Sequence, residues 1–116
     1  MMGALVFGFM LLFATGGILQ MALTVPMIRR RVKPNALYGF RIPKTLSDKQ
    51  VWYDANAYAG RLLFASGAAQ VLAAIALVFV PGLRGNLGDY CLVCAAVTVV
   101  TLLLAVWLST RYANTL

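Results

Sequence analysis

Twenty-six consecutive residues, Gly3 to Ile28, carry no charged side chain, and only Thr15, Gln20 and Thr24 interrupt their apolar character. As a helix rising about 1.5 Å per residue, such a run outreaches the roughly 30 Å hydrocarbon core of a bilayer. Two more runs have the same character. Leu62 to Val80 holds 19 uncharged residues and stops at Pro81-Gly82, while Tyr90 to Thr110 holds 21 and stops at Arg111. A soluble domain of 116 residues needs a polar surface, and a chain that is 62% hydrophobic and 11% charged cannot supply one. The expectation is a single three-span membrane domain over 1–116, with spans at about 4–28, 62–81 and 90–110. The first run is read as a retained span and not as a cleaved leader. It has no basic residue before it, its apolar part is too long, and Arg29-Arg30-Arg31 follows as a stop. Pro26 is expected to bend or loosen its last turn.

The charges then set the orientation. Seven of the ten basic residues fall between Arg29 and Lys49, against only Arg84 in the second loop and Arg111 near the C-terminus. The positive-inside rule places the first loop and the C-terminus in the cytoplasm and the N-terminus outside. A net charge of +7 that flanks a span speaks for lipid headgroups and against nucleic acid. There is no His and no Glu, and the carboxylates are Asp48, Asp54 and Asp89. Zinc sites, His-based triads and paired-carboxylate catalysis lack their parts, so no enzyme, metal or cofactor is expected. Cys91 and Cys94 read as small apolar residues one helical turn apart.

Between the first two runs, Pro34, Gly39 and Pro43 argue against a long helix. Ser47-Asp48-Lys49-Gln50 reads as a helix start, with Ser47 as the N-cap and Gln50 reaching back to it. That helix is expected to run unbroken into the second span, its first part, to about Gly60, lying at the membrane surface. Tyr53 and Tyr58 suit such a boundary, and Arg61 is expected to snorkel to the phosphates. The fold class is thus all-α: three transmembrane helices, a structured basic cytoplasmic loop, and an interfacial helix running into the second span. No internal repeat is evident.

Inside the bilayer, Gln20 lies eight residues before Ile28 and Gln70 nine after Arg61. On antiparallel helices both reach roughly 12–14 Å below the boundary, which predicts a Gln20–Gln70 contact. Ala65, Ala69 and Ala73 recur at four-residue steps and predict a close approach to Gly16-Gly17.

The stretch Lys33 to Gly60 carries the position-specific residues. Trp52, Asn56 and Gly60 share one helix face, offering an amphipathic anchor, an amide and room for a second backbone. Pro34-Asn35 opens a turn, Tyr38-Gly39 reverses the chain, and Pro43 extends Ile42. The loop is therefore expected to fold back onto the Trp52/Asn56 face, with Arg41 and Asn35 bonding Asn56 or carbonyls near the span ends. Orientation and lipid contact account for Arg29, Arg30, Arg31 and Lys33.

The pattern PN-xx-YG-F-R-x-P-K-T-L, then W-xxx-N-xxx-G, between a first and a second span resembles that of the SdpI family of bacterial membrane immunity proteins. The matching positions are Pro34, Asn35, Tyr38, Gly39, Arg41, Pro43, Trp52, Asn56 and Gly60. The resemblance implies a multi-pass protein of the bacterial inner membrane that binds or sequesters a membrane-active peptide toxin or a cytoplasmic regulator. The competing expectation is a small accessory subunit docked to other membrane subunits. Oligomeric state is left open.

Overall fold

The computed structural model describes residues 2–35 and 37–116. Five helices follow one another: α1 (Met2–Ile28), α2 (Pro43–Ser47), α3 (Lys49–Val78), α4 (Pro81–Arg84) and α5 (Leu87–Ala113). There is no strand among the described residues. Three of the helices, α1, α3 and α5, are long and apolar enough to cross a membrane. The central one is α3, against which α1 and α5 both pack while touching each other little. The bundle is 53 Å long. That exceeds the roughly 30 Å hydrocarbon core, so its ends stand outside.

Each helix ends for a local reason. The apolar run of α1 continues two residues past Pro26 and closes in a Schellman turn: Arg30 N–H donates to Met27 O at 3.2 Å and Arg31 N–H to Pro26 O at 2.9 Å. The left-handed position that glycine usually fills is Arg30, at φ 60°. At the other end of the loop the expected cap moves by one residue. Asp48, not Ser47, caps α3, and its Oδ1 accepts from the N–H groups of Gln50 (2.7 Å) and Val51 (3.2 Å). Ser47 is already committed, its hydroxyl donating to Lys44 O at 2.6 Å to close α2. Gln50 does not reach back either, since its Nε2 bonds Asp54.

Once started, α3 runs unbroken for 30 residues. At about 1.5 Å per residue it is near 45 Å, so its first turns project beyond the hydrocarbon. Those turns are not free at a surface, because Trp52, Ala55, Asn56, Ala59 and Gly60 are all buried. The far end is closed by Val80, which is extended before Pro81, and by Asn86, whose Oδ1 accepts from Asp89 N–H at 3.1 Å to cap α5. There Val6, Val78, Tyr90 and Cys94 form an apolar cluster. Both cysteines are free thiols.

The register of α1 on α3 corrects two expectations. A Cβ on Gly17 would lie 2.7 Å from Gly67 O, and a Cβ on Gly67 would lie 2.8 Å from Gly17 O. These two glycines, not the alanine ridge, bring the backbones together; Ala65 is exposed and Ala69 and Ala73 are only half-buried. The expected Gln20–Gln70 contact is replaced by a reciprocal arrangement. Gln20 Nε2 donates to Leu63 O and Gln70 Nε2 donates to Phe13 O, each at 2.7 Å. The glycine crossing sets the register, and it leaves Gln70 seven residues past Leu63, about 10 Å along the axis from Gln20. Gly17–Gln20 and Gly67–Gln70 therefore form a local repeat, GxxQ on each helix. In both copies the glutamine bonds the carbonyl four residues before the partner's glycine.

Candidate functional site

The loop between α1 and α3 does fold onto the Trp52/Asn56 face, but through its backbone. Asn56, 1% exposed, holds Phe40 from both sides: Oδ1 accepts Phe40 N–H at 2.6 Å and Nδ2 donates to Phe40 O at 3.2 Å. The side-chain amide thus pairs with Phe40 as a neighbouring β-strand would. A further bond from Nδ2 to Trp52 O, at 2.9 Å, fixes the rotamer. Four positions earlier on that face, the buried Trp52 donates from Nε1 to Val32 O at 2.8 Å and ties down the chain leaving α1.

Gly39 and Gly60 supply the space this needs. Gly39 sits at φ 110°, and a Cβ there would meet Asn56 Oδ1 at 2.8 Å and the Trp52 ring at 3.1 Å. A Cβ on Gly60 would lie 3.0 Å from both Met27 and Ile28. A larger residue is strained at Gly39 by conformation and contact, and at Gly60 it fits only if Met27 or Ile28 shifts.

Asn35 works within its own turn. Its Oδ1 accepts from Leu37 N–H (2.8 Å) and Tyr38 N–H (2.6 Å), and its Nδ2 donates to Lys33 O (2.7 Å) and Tyr38 O (3.0 Å). It has no capacity left for Asn56; of the two kinds of partner expected it takes carbonyls, and those belong to its own turn. Pro34 is exposed and leads into this turn, and Pro43, also exposed, occupies the first position of α2. Arg41 likewise does not bond Asn56, whose groups are filled by backbone. Its side chain is exposed, with no hydrogen bond or ion pair among the described residues.

Two contributors escaped the sequence reading. Thr45 is fully buried, and its hydroxyl accepts Ile42 N–H at 3.0 Å with Ile42 O (2.9 Å) and Phe40 O (3.1 Å) as its acceptors. The signal was its place two residues after Pro43, where a threonine can satisfy the helix start in place of Ile42, which has no polar side chain. Arg30 is the other: it pairs with Asp54 as well as turning the chain. The Arg30 guanidinium, and after it the Gln50 amide, hold the Asp54 carboxyl below the usual carboxylate range.

Beneath the loop lies a groove of about 520 Å³, walled by α1 from Gly16 to Met27, roofed by Tyr38 to Arg41, and flanked by Leu63 and Val106. Leu19 and Leu23 are exposed along it, so it faces outward from the bundle. Gln20 lines it with Nε2 committed to Leu63 O and its carbonyl oxygen without a partner among the described residues. An apolar trough with one amide halfway down and a guanidinium at its rim can hold an amphiphile. Among the described residues no group of three or more acidic, His or Cys side chains is placed to hold a metal ion.

Comparison with curated proteins and with solved structures finds no match. Residues 31–110, which take in the loop, α2, α3 and most of α5, match the SdpI/YfhL protein family, and the chain belongs to it.

Proposed function

We propose that this protein is an immunity-type protein of the bacterial inner membrane, which takes a membrane-active peptide out of the lipid and into the groove under the loop. Family membership supports the class, and the groove supports the mode. Its walls are apolar, it faces outward from the bundle, and Gln20 offers an acceptor that acyl chains cannot use but a peptide N–H can. The uncommitted Gln20 oxygen is the observation that carries the peptide reading. Nothing in this mode requires a reaction, a cofactor or a metal.

The test is growth protection against secreted membrane-active peptides in a sensitive bacterium. Leu23→Trp fills the groove from a half-exposed position and is expected to abolish protection at unchanged protein abundance. Protection that survives the substitution places the peptide elsewhere, and a wild-type chain that protects against no peptide defeats the immunity reading.

A second reading rests on Leu37, which the Asn35 turn presents 96% exposed at the loop tip. We propose in that case that the loop docks a cytoplasmic regulator or another membrane subunit through this residue. Affinity purification in mild detergent should then capture a stoichiometric partner from wild type and lose it with Leu37→Ser.

A further inference from the structure

We infer that the groove under the loop is an anionic phospholipid site, in which one acyl chain lies along α1 and the headgroup phosphate is bound by Arg41. This inference stands apart from peptide binding; it concerns the occupant when no peptide is present.

The length of the groove is the first argument. Its α1 wall runs from Gly16 to Met27, which at about 1.5 Å per residue is roughly 16 Å, one leaflet of a hydrocarbon core about 30 Å thick. A ligand fitted to it spans the depth of a single leaflet, largely along apolar side chains, and meets a charged group, Arg41, at one end only. Its polarity is the second. Leu19, Leu23 and Leu63 line the deep part, while Tyr38 and Arg41 close the loop end. The third is charge. Arg30, at the end of α1, is neutralised by Asp54, whereas Arg41 has no anionic partner among the described residues. A guanidinium at the rim of a low-dielectric trough selects a phosphate with net negative charge and can grip it through two parallel N–H bonds. Diffuse attraction between a basic loop and an anionic leaflet does not need a groove and would be shared by every exposed cation. A built site makes Arg41 different from the rest.

Native mass spectrometry can read this on the full chain, purified in mild detergent and exchanged into mixed phosphatidylglycerol–phosphatidylcholine micelles. The expected result is one phosphatidylglycerol retained per chain, at least tenfold over phosphatidylcholine. Arg41→Gln should remove that preference, and Arg29→Gln, which alters an exposed cation outside the groove, should keep it. Leu23→Trp should expel the lipid with Arg41 intact. Equal loss in Arg41→Gln and Arg29→Gln, equal retention of the two lipids by wild type, or unchanged retention in Leu23→Trp would each overturn the assignment. Because Arg41 is exposed and unbonded, its replacement leaves the fold in place, and a thermal-melting curve in lipid-free detergent that matches wild type verifies this.

Discussion

Asn56 shows how much a single side chain can decide in a chain with so few polar residues. It satisfies both backbone groups of Phe40 and is itself buried, so Asn56→Ala leaves the Phe40 N–H without a partner and its carbonyl with the Thr45 hydroxyl alone. The cost is about 1–3 kcal/mol, since an unmade buried bond carries the desolvation of the abandoned group. Thermal unfolding in detergent should show the loss, together with proteolysis of the loop at lower protease. Gly39→Ala should cost a similar amount, about 1–3 kcal/mol, through an unfavourable backbone angle and a Cβ thrust at the Asn56 oxygen. Arg41→Ala is the contrast: it should leave the melting temperature alone, because Arg41 supports nothing in the fold. Residue types at this site were legible in the sequence, but their partners were not. Asn56 could be seen to face the loop. That it would take Phe40's backbone, and not Arg41 or Asn35, depends on where the folded loop puts its backbone groups.

At the level of elements, the ends of the helices and the register between them carry the stability. The junction of α1 and α3 is held at the loop end by Arg30 and Asp54. Because the Asp54 pKa is depressed in the folded protein, this link contributes fully above the ordinary carboxylate value of about 3.9 and is lost only as pH falls through the lower, folded value. The stability difference between wild type and Asp54→Asn should therefore be constant at neutral pH and vanish well below pH 4. Deeper in, α1 and α3 are registered by Gly17 and Gly67. Gly67→Val should separate the helices and lower stability by about 1–3 kcal/mol, the range for overpacking. Gly82→Val, in the short helix α4, meets nothing within 4 Å of its Cβ and is the control. The two glutamine bonds across the crossing contribute about 1 kcal/mol each, because even the separated helices find polar partners in a membrane.

For the whole molecule, α3 is the element around which the other two spans and the loop are arranged. At the loop end Tyr58 of α3 stacks on Tyr112 of α5, with ring centres 4.2 Å apart and planes 13° from parallel, so the basic loop and the C-terminus emerge on one side. At the far end Tyr90 donates to Ala74 O at 2.6 Å, and midway Ser66 and Thr101 meet at 2.7 Å. With seven basic residues between Arg29 and Lys49, a C-terminal alkaline-phosphatase fusion should be inactive and a C-terminal fluorescent-protein fusion bright. An active phosphatase would invert the orientation and, with it, the leaflet to which the groove opens.

The number of long apolar helices, the charge asymmetry of their flanks, and the continuity of the helix from the loop into the second span could all be read along the chain. Those properties follow from local quantities, the length of an uncharged run and the sign of its flanks, which no tertiary contact overrides in lipid. The sequence also named the residues of the loop motif. The remainder came from how the helices and loop pack. The glutamines bonded backbone instead of each other because glycine contact, not matching depth, sets where two helices cross. The groove under the loop is likewise tertiary, since its walls come from α1, the loop, α3 and α5 together. No one stretch of sequence contains it.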